Sequence, residues 1–128
     1  MRLGLLASLS EATGNNVTAV RIAGFFRDAG NTIELIDINA FPDSAAFRAW
    51  TCCHQPFDGY IGIHAFRAGR LLIGVARPSR FIIIFGGTDV NEHIFSPQKL
   101  PIMREACRQA STLICFSEEI RNLALQVC

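Results

Sequence analysis

Apolar and polar positions along the chain repeat with two different periods, and the switches between them divide it into short blocks. Residues 2–8 form an apolar run that passes into the polar stretch from Glu11 to Asn16, which predicts a first strand rather than a secretory leader. From Asn16 to Asp28, Val17, Val20, Ile22, Ala23 and Phe26 fall near helical spacing, and Gly30 follows as a C-terminal cap. Thr32 to Asp37 reads as a second strand, and Ser44 to Cys53 as a short helix opened by Asp43 or Ser44. Tyr60 to His64 is a third strand, followed by a helix over 67–76 that Gly69 and Gly74 interrupt and Pro78 stops. Phe81 to Phe85 is a fourth strand and Pro101 to Gln109 a helix with Pro near its start. Thr112 to Phe116 is a fifth strand, and Glu118 to Val127 a last helix capped by Ser117. Strands alternating with helices of this length predict βαβ units, hence an α/β, Rossmann-like three-layer α/β/α fold with a mainly parallel sheet.

The fourth strand carries the most information. The apolar run Phe81-Ile82-Ile83-Ile84-Phe85 leads directly into Gly86-Gly87-Thr88-Asp89-Val90-Asn91-Glu92. An uninterrupted apolar run is a strand covered on both faces, and in open parallel sheets ligands sit beyond the carboxyl ends of the strands. The two glycines permit close approach, while Thr88 and Asp89 offer a donor and an anionic acceptor. The plainer alternative is a tight turn in which Asp89 caps the next helix. A parallel sheet brings three more polar segments to the same rim. Ser10 to Ala19, with Gly14, Asn15 and Thr18, enters a helix whose first N–H groups suit an anion, but it lacks the Lys of a Walker loop and the three glycines of a dinucleotide fingerprint. His64 ends the third strand, with Arg67 and Arg70 behind it, and Ser117-Glu118 follows the fifth. Structural readings stand beside these: a hydrogen-bonding strand-end histidine, and a capped helix with a carboxylate in its first turn.

Composition narrows the function. A chain of 128 residues suits one domain, and with 18% charged residues against a usual ~25% it is more apolar than a free-standing domain needs to be. The formal net charge of +1 and the scattered arginines give no electrostatic footprint for nucleic acid or an anionic membrane. No apolar run approaches the ~20 residues of a membrane helix; a cytoplasmic protein with no integral membrane segment is expected. The five cysteines are odd in number, and with the three histidines they show no metal-ligand spacing, so no metal and mostly buried reduced thiols are expected. The chain stops at its last helix with no polar tail, as expected of one half of a larger fold, and exposed apolar surface with self-association is the corollary.

Taken in order, Thr13-Gly14-Asn15-Asn16-Val17-Thr18-Ala19-Val20-Arg21, Ala29-Gly30, Ile63-His64-Ala65-Phe66-Arg67-Ala68-Gly69-Arg70-Leu71-Leu72, Ile84 to Glu92 and Phe116-Ser117-Glu118 resemble the amino-terminal domain of family 4 glycosyltransferases. The Gly-Gly-Thr-Asp-Val-Asn-Glu string is the specific part, and the resemblance covers nearly the whole chain. It implies that residues 1–128 are the acceptor-side half of a two-domain GT-B enzyme that transfers a sugar from a nucleotide-sugar donor with retention. The donor half of such enzymes carries two glutamates spaced eight apart. Glutamates 11, 34, 92, 105, 118 and 119 include no such pair, so the donor-binding domain is expected to be absent and the isolated chain inactive. The protein's contribution would be positioning and electrostatic stabilisation of a cationic sugar and an anionic diphosphate. The resemblance assigns Asp89 and His64 to the catalytic centre. It assigns Gly14, Asn15, Thr18, Gly86, Gly87, Thr88, Asn91, Ser117 and Glu118 to substrate binding. It calls for no cofactor besides the sugar donor, and its partners are a sugar acceptor of unknown identity and the missing domain. One position departs: many members carry a histidine where this chain has Gly86.

A flavodoxin-like phosphate- or flavin-binding module is the alternative, since Ser10 to Thr18 is also similar to a flavin-phosphate loop. Against it, the single Trp50 falls in a helix and the single Tyr60 at a strand start, leaving neither on a later rim loop to sandwich a flavin. A response-regulator reading fails because no acidic pair follows the first strand. A non-catalytic fragment is the third reading.

Overall fold

The computed structural model describes residues 1–10, 14–75 and 80–128, with only the backbone of Thr88 and Asp89. Five strands form one sheet: β1 (Arg2–Ala7), β2 (Thr32–Asp37), β3 (Gly59–Ile63), β4 (Arg80–Ile84) and β5 (Thr112–Ile114). All neighbours pair in parallel, in the order β2-β1-β3-β4-β5. The helices are α1 (Gly14–Asp28), α2 (Ser44–Cys52), α3 (Gly69–Leu72), α4 (Gly87–Asn91), α5 (Leu100–Gln109) and α6 (Glu118–Ala124). Every strand thus leads toward a helix at the same edge, which is the three-layer α/β/α arrangement that the alternating periods predict.

The sheet has two apolar faces because β3 is buried throughout and β1 from Leu3 onward. Leu3, Leu5, Ala7, Ile61, Ile63 and Ile84 meet Ala19 and Ala23 of α1 on one side. On the other, Leu6, Tyr60, Ile83 and Phe85 meet α2, α3 and α5 through Phe47, Leu71, Leu72 and Met103. An aromatic cluster consolidates this second face: Phe47 contacts Phe41 and Tyr60 edge-on at 5.2 and 5.8 Å and stacks on Trp50 at 6.0 Å. Arg2 closes the cluster from the rim, its guanidinium 4.2 Å from the centre of the Phe57 ring.

Local chemistry sets the element ends. Gly30 takes φ +92°, and the N–H groups of Gly30 and Asn31 donate to Arg27 and Phe26, closing α1 as the cap position requires. Asp43 accepts from the Ala46 N–H at 2.8 Å and Ser117 from the Ile120 N–H at 3.1 Å, so both sequence-assigned caps open their helices.

Four elements differ from the sequence pattern, the simplest being the last helix, expected to reach Val127 and ending at Ala124. The helix expected over 67–76 shrinks to Gly69–Leu72 and turns at Gly74, φ +79°, where the Gln109 side chain receives the Gly74 N–H at 2.8 Å. The fifth strand, expected to run to Phe116, pairs only over Thr112–Ile114. The segment after the fourth strand winds into α4 and a 3-10 turn, His93–Phe95. The cysteines also depart from a mostly buried set: Cys52 and Cys53 are exposed at the end of α2, Cys128 is exposed beyond α6, Cys115 is half-buried, and Cys107 alone is buried.

The short α3 lies hard against α5. A Cβ at Gly69 would fall 2.7 Å from Ala106 Cβ. Gly69→Ala is expected to destabilise by about 1–3 kcal/mol through overpacking, more than the ~1 kcal/mol that Ala gains in helix propensity. Urea unfolding followed by circular dichroism measures it, and an unchanged midpoint would mean that the helices separate freely.

Candidate functional site

The strand order makes a topological switch between β1 and β3: the chain leaves β1 toward β2 and returns to the opposite side. Crevices at such points, beyond the carboxyl ends, hold ligands in open α/β sheets. The β1 exit is tied in place from the β2 side. Buried Ser8 accepts from the Asn39 amide at 3.0 Å, and Asp37 accepts from the N–H groups of Leu9 and Asn39. Glu11 to Thr13 lie outside the described residues. Beyond them, Gly14 and Asn15 form the first turn of α1, with Gly14 exposed and the Thr18 hydroxyl donating to the Gly14 carbonyl at 3.1 Å.

The β3 exit carries the one non-glycine positive φ among the described residues, His64 at +88°. Histidine tolerates this region better than most residues, but the conformation costs on the order of 1–3 kcal/mol and persists only where surroundings enforce it. Here they do. The His64 N–H donates to the Ile84 carbonyl at 2.8 Å, and its carbonyl accepts from the Ala68 N–H at 3.1 Å. Nδ1 accepts from the Arg67 N–H at 3.1 Å. A backbone amide can only donate, so the neutral ring carries its proton on Nε2. The ring is 2% exposed, and its Cδ2 lies 3.9 Å from where a Cβ on Gly86 would stand. Strand ends β3 and β4 therefore meet through this imidazole and the first glycine of the Gly-Gly-Thr-Asp string.

A second imidazole reaches the same corner. His93, 7% exposed, packs edge-on against His64 with ring centres 4.8 Å apart and against Phe66 at 5.4 Å. Its Nε2 lies 3.2 Å from Lys99 Nζ, and Lys99 also stands 5.2 Å over the Phe66 ring. An ammonium only donates, so Nε2 accepts and the His93 proton sits on Nδ1, the opposite tautomer to His64. Sequence reasoning missed His93 and Lys99, because a 3-10 turn leaves no hydrophobic period; the one available signal was that His93 directly follows the specific string. A histidine is thus present at this loop despite glycine at position 86, supplied from its far end.

The remaining assigned residues share the edge. Gly86 is half-buried and Gly87 opens α4, whose Asn91 is exposed. The side chains of Thr88 and Asp89 lie outside the described atoms, and their backbone is helical within α4. Ser117 and Glu118 stand at the β5 exit, exposed, with the Ser117 hydroxyl engaged as the α6 cap. Arg70 is drawn away from the edge: its guanidinium donates to the carbonyls of Ile38, Phe41 and Pro42 and ties α3 to the β2–α2 connection. Arg67 serves through its backbone.

The fold and this edge define a doubly wound, five-stranded parallel α/β domain whose polar loops gather across the switch between β1 and β3. That topology is shared by flavin-phosphate and other nucleotide modules, so similarity to known proteins decides between them. Over 124 residues, 97% of its length, the chain is 33% identical to Glycosyltransferase 1 domain-containing protein 1 of Xenopus tropicalis, and it spans 35% of that protein. The match bears out the resemblance carried by the ordered motifs, that of a glycosyltransferase-like domain. No family model matches the chain. Among the described residues, no helix is long and apolar enough to cross a membrane.

Proposed function

We propose that this chain is the acceptor-side half of a retaining GT-B glycosyltransferase that uses a nucleotide-sugar donor, and that its carboxyl edge forms one wall of the transfer site. The observation that carries the reading is His64: a histidine held at positive φ, with a fixed tautomer, at the strand end beside Gly86. Strain of this kind points from an observed outlier to a functional role. The similarity to a glycosyltransferase-named relative supplies the reaction class.

In this reading the His64 Nε2–H is a preset donor to a sugar or diphosphate oxygen. The N–H groups at the start of α1, around Gly14 and Asn15, with the Thr18 side of that turn, face the donor phosphates. Gly86 and Gly87 let the sugar approach, and Thr88, Asp89 and Asn91 hydrogen-bond its hydroxyls. Ser117 and Glu118 border the acceptor. The donor-binding domain is a separate half, as the 35% span of the relative is consistent with, so the chain alone is inactive. No flavin or metal enters the mechanism, and the protein works in the cytoplasm.

Asp89 supplies the test. A residue that only capped a turn would tolerate Asp89→Asn, since Asn caps about as well as Asp. An Asp89 that orients a sugar hydroxyl loses its charge in that variant, and sugar transfer is expected to fall about 10-fold or more, or ~1.4 kcal/mol in the barrier. The assay uses the chain joined to a matching donor-binding half, with circular dichroism showing that the variant is folded. Unchanged transfer by the folded variant removes Asp89 from the mechanism.

A further inference from the structure

Among the described residues, the half-buried cations are Arg2, Arg67, Arg70 and Lys99. Arg2 is paired with Glu34 at 3.0 Å, and Arg70 donates to the carbonyls of Ile38, Phe41 and Pro42. Arg67 and Lys99 do neither, and both stand at the carboxyl edge, each in contact with one of the two imidazoles. Arg67 reaches His64 through its backbone N–H at 3.1 Å, which leaves the guanidinium out of that contact. Lys99 is held by rings, with its ammonium 3.2 Å from His93 Nε2 and 5.2 Å over Phe66. Among the described residues neither head group meets a carboxylate. Glu92, next to His93 in the chain, is exposed and makes no side-chain cap bond. Withdrawing a cation partly from water without a counter-ion carries a cost, which long cationic side chains ordinarily avoid by pairing or by reaching solvent.

The chemistry offered at this corner is one-sided. An ammonium has three N–H donors and Lys99 directs one at His93, while a guanidinium has five in a planar fork. The His64 ring beside them carries its proton on Nε2. Nothing in this set accepts, so its ligand must present acceptors and negative charge. A phosphate group matches the pair of cations: it carries about −1.5 to −2 charge near neutral pH, and its three oxygens suit both a guanidinium fork and an ammonium point charge.

We infer that the β3 exit is a second oxyanion subsite of this wall, taking a phosphate group on Arg67 and Lys99 beside His64, apart from the start of α1 at the β1 exit. Its place in a transfer site rests on the function proposed above; its anion chemistry does not. Two sources carry that chemistry, the leaving diphosphate of the donor and a phosphate borne by the acceptor.

Inorganic phosphate titrated into the 128-residue chain at fixed pH and ionic strength, read by imidazole nitrogen NMR, tests the subsite. The His64 resonances should move saturably, with a dissociation constant on the order of 1 mM. Arg67→Gln and Lys99→Met should each weaken binding about 5-fold or more, and Arg67→Lys, which keeps the charge, should retain most of it. Arg67→Gln keeps the backbone N–H, so the His64 tautomer stays as it is, and an Arg67 with only a structural role would leave phosphate affinity unmoved. In the chain joined to a donor-binding half, saturation with whichever of UDP, GDP or ADP that half binds separates the sources. A preserved phosphate response assigns the subsite to a phosphorylated acceptor, and a response lost only on adding the nucleotide assigns it to the leaving diphosphate. His64 resonances unmoved at roughly 50 mM phosphate would overturn the inference. So would a response indifferent to both charge-removing variants, which would put the anion elsewhere, such as the start of α1. A response already absent from the joined protein without nucleotide would overturn it too, by showing that the other half supplies the counter-ion. Phosphate binding is read without sugar transfer, and Asp89→Asn is read by transfer without altering this pair, so failure of one reading is distinct from failure of the other.

Discussion

Sugar transfer should fall about 100-fold when His64 is replaced by Asn in this chain joined to a donor-binding half, a loss of ~2.7 kcal/mol typical of removing one preset donor from developing negative charge. Asn is chosen because it separates reach from fold. It tolerates positive φ, and its amide oxygen can accept the Arg67 N–H that now reaches Nδ1 at 3.1 Å, so the turn into α3 is kept. What it lacks is the ring that places an N–H at the Nε2 position. The loss should appear in kcat rather than KM, since an interaction made mainly in the transition state affects turnover. Nitrogen-detected NMR of the imidazoles supplies a readout independent of activity. The unaltered chain should show His64 protonated on Nε2 and His93 on Nδ1, and Lys99→Met should free the His93 tautomer while leaving that of His64 fixed. A folded Asn variant with full transfer would reduce His64 to a structural strand-end residue.

The fold was legible because the sheet is buried on both faces. Phe81 to Phe85 reads as continuous apolar residue types and pairs with β3 and β5 on its two sides, so type, length and parallel topology were coupled in the pattern. Caps were legible for a local reason: Asp43, Ser117 and Gly30 act within three or four residues of themselves. The truncation of α3 was not, because its length is set from a distance, by the approach of α5 to Gly69 and the Gln109 contact at Gly74. Those contacts join residues more than thirty positions apart, and no window of sequence contains both.

The site divides in the same way. That His64 and Gly86 share an edge followed from strand alternation, but the positive φ at His64 depends on the carbonyl of Ile84 in the next strand. His93 and Lys99 enter through tertiary packing after an irregular turn, and their partners His64 and Phe66 come from another strand exit. The resulting corner holds two imidazoles of opposite tautomer behind a half-buried glycine. One ring is braced by a backbone amide and the other by an ammonium. A site of this kind is rigid before any ligand arrives, which is the condition under which positioned donors contribute most to a transfer reaction.

Phe47→Ala should be the most damaging single change to stability, at about 3–5 kcal/mol or more, against a total of roughly 5–15 kcal/mol for a domain. Phe47 is fully buried in α2 and touches three other aromatic rings, Phe41, Trp50 and Tyr60. Removal loses the transfer free energy of the ring, and edge-on and stacked pairs each add about 0.5–1.5 kcal/mol beyond area. The cavity would not collapse readily. Its walls are β3 below, the Phe41 turn beside it and Trp50 of its own helix, and the Phe41 carbonyl is held by Arg70 at 3.1 Å. That clamp makes the cluster matter to the site as well: Arg70 lies in α3, the helix that His64 leads into, so loosening Phe41 releases one support of the turn that holds the histidine. Phe47→Leu, which keeps most of the volume, should cost well under half as much. Urea titrations of both variants by circular dichroism give the comparison, and the slopes show whether the native state has loosened. Equal midpoints for Phe47→Ala and the unaltered chain would mean that the aromatic cluster contributes little, and that α2 is held by Asp43 and backbone contacts alone.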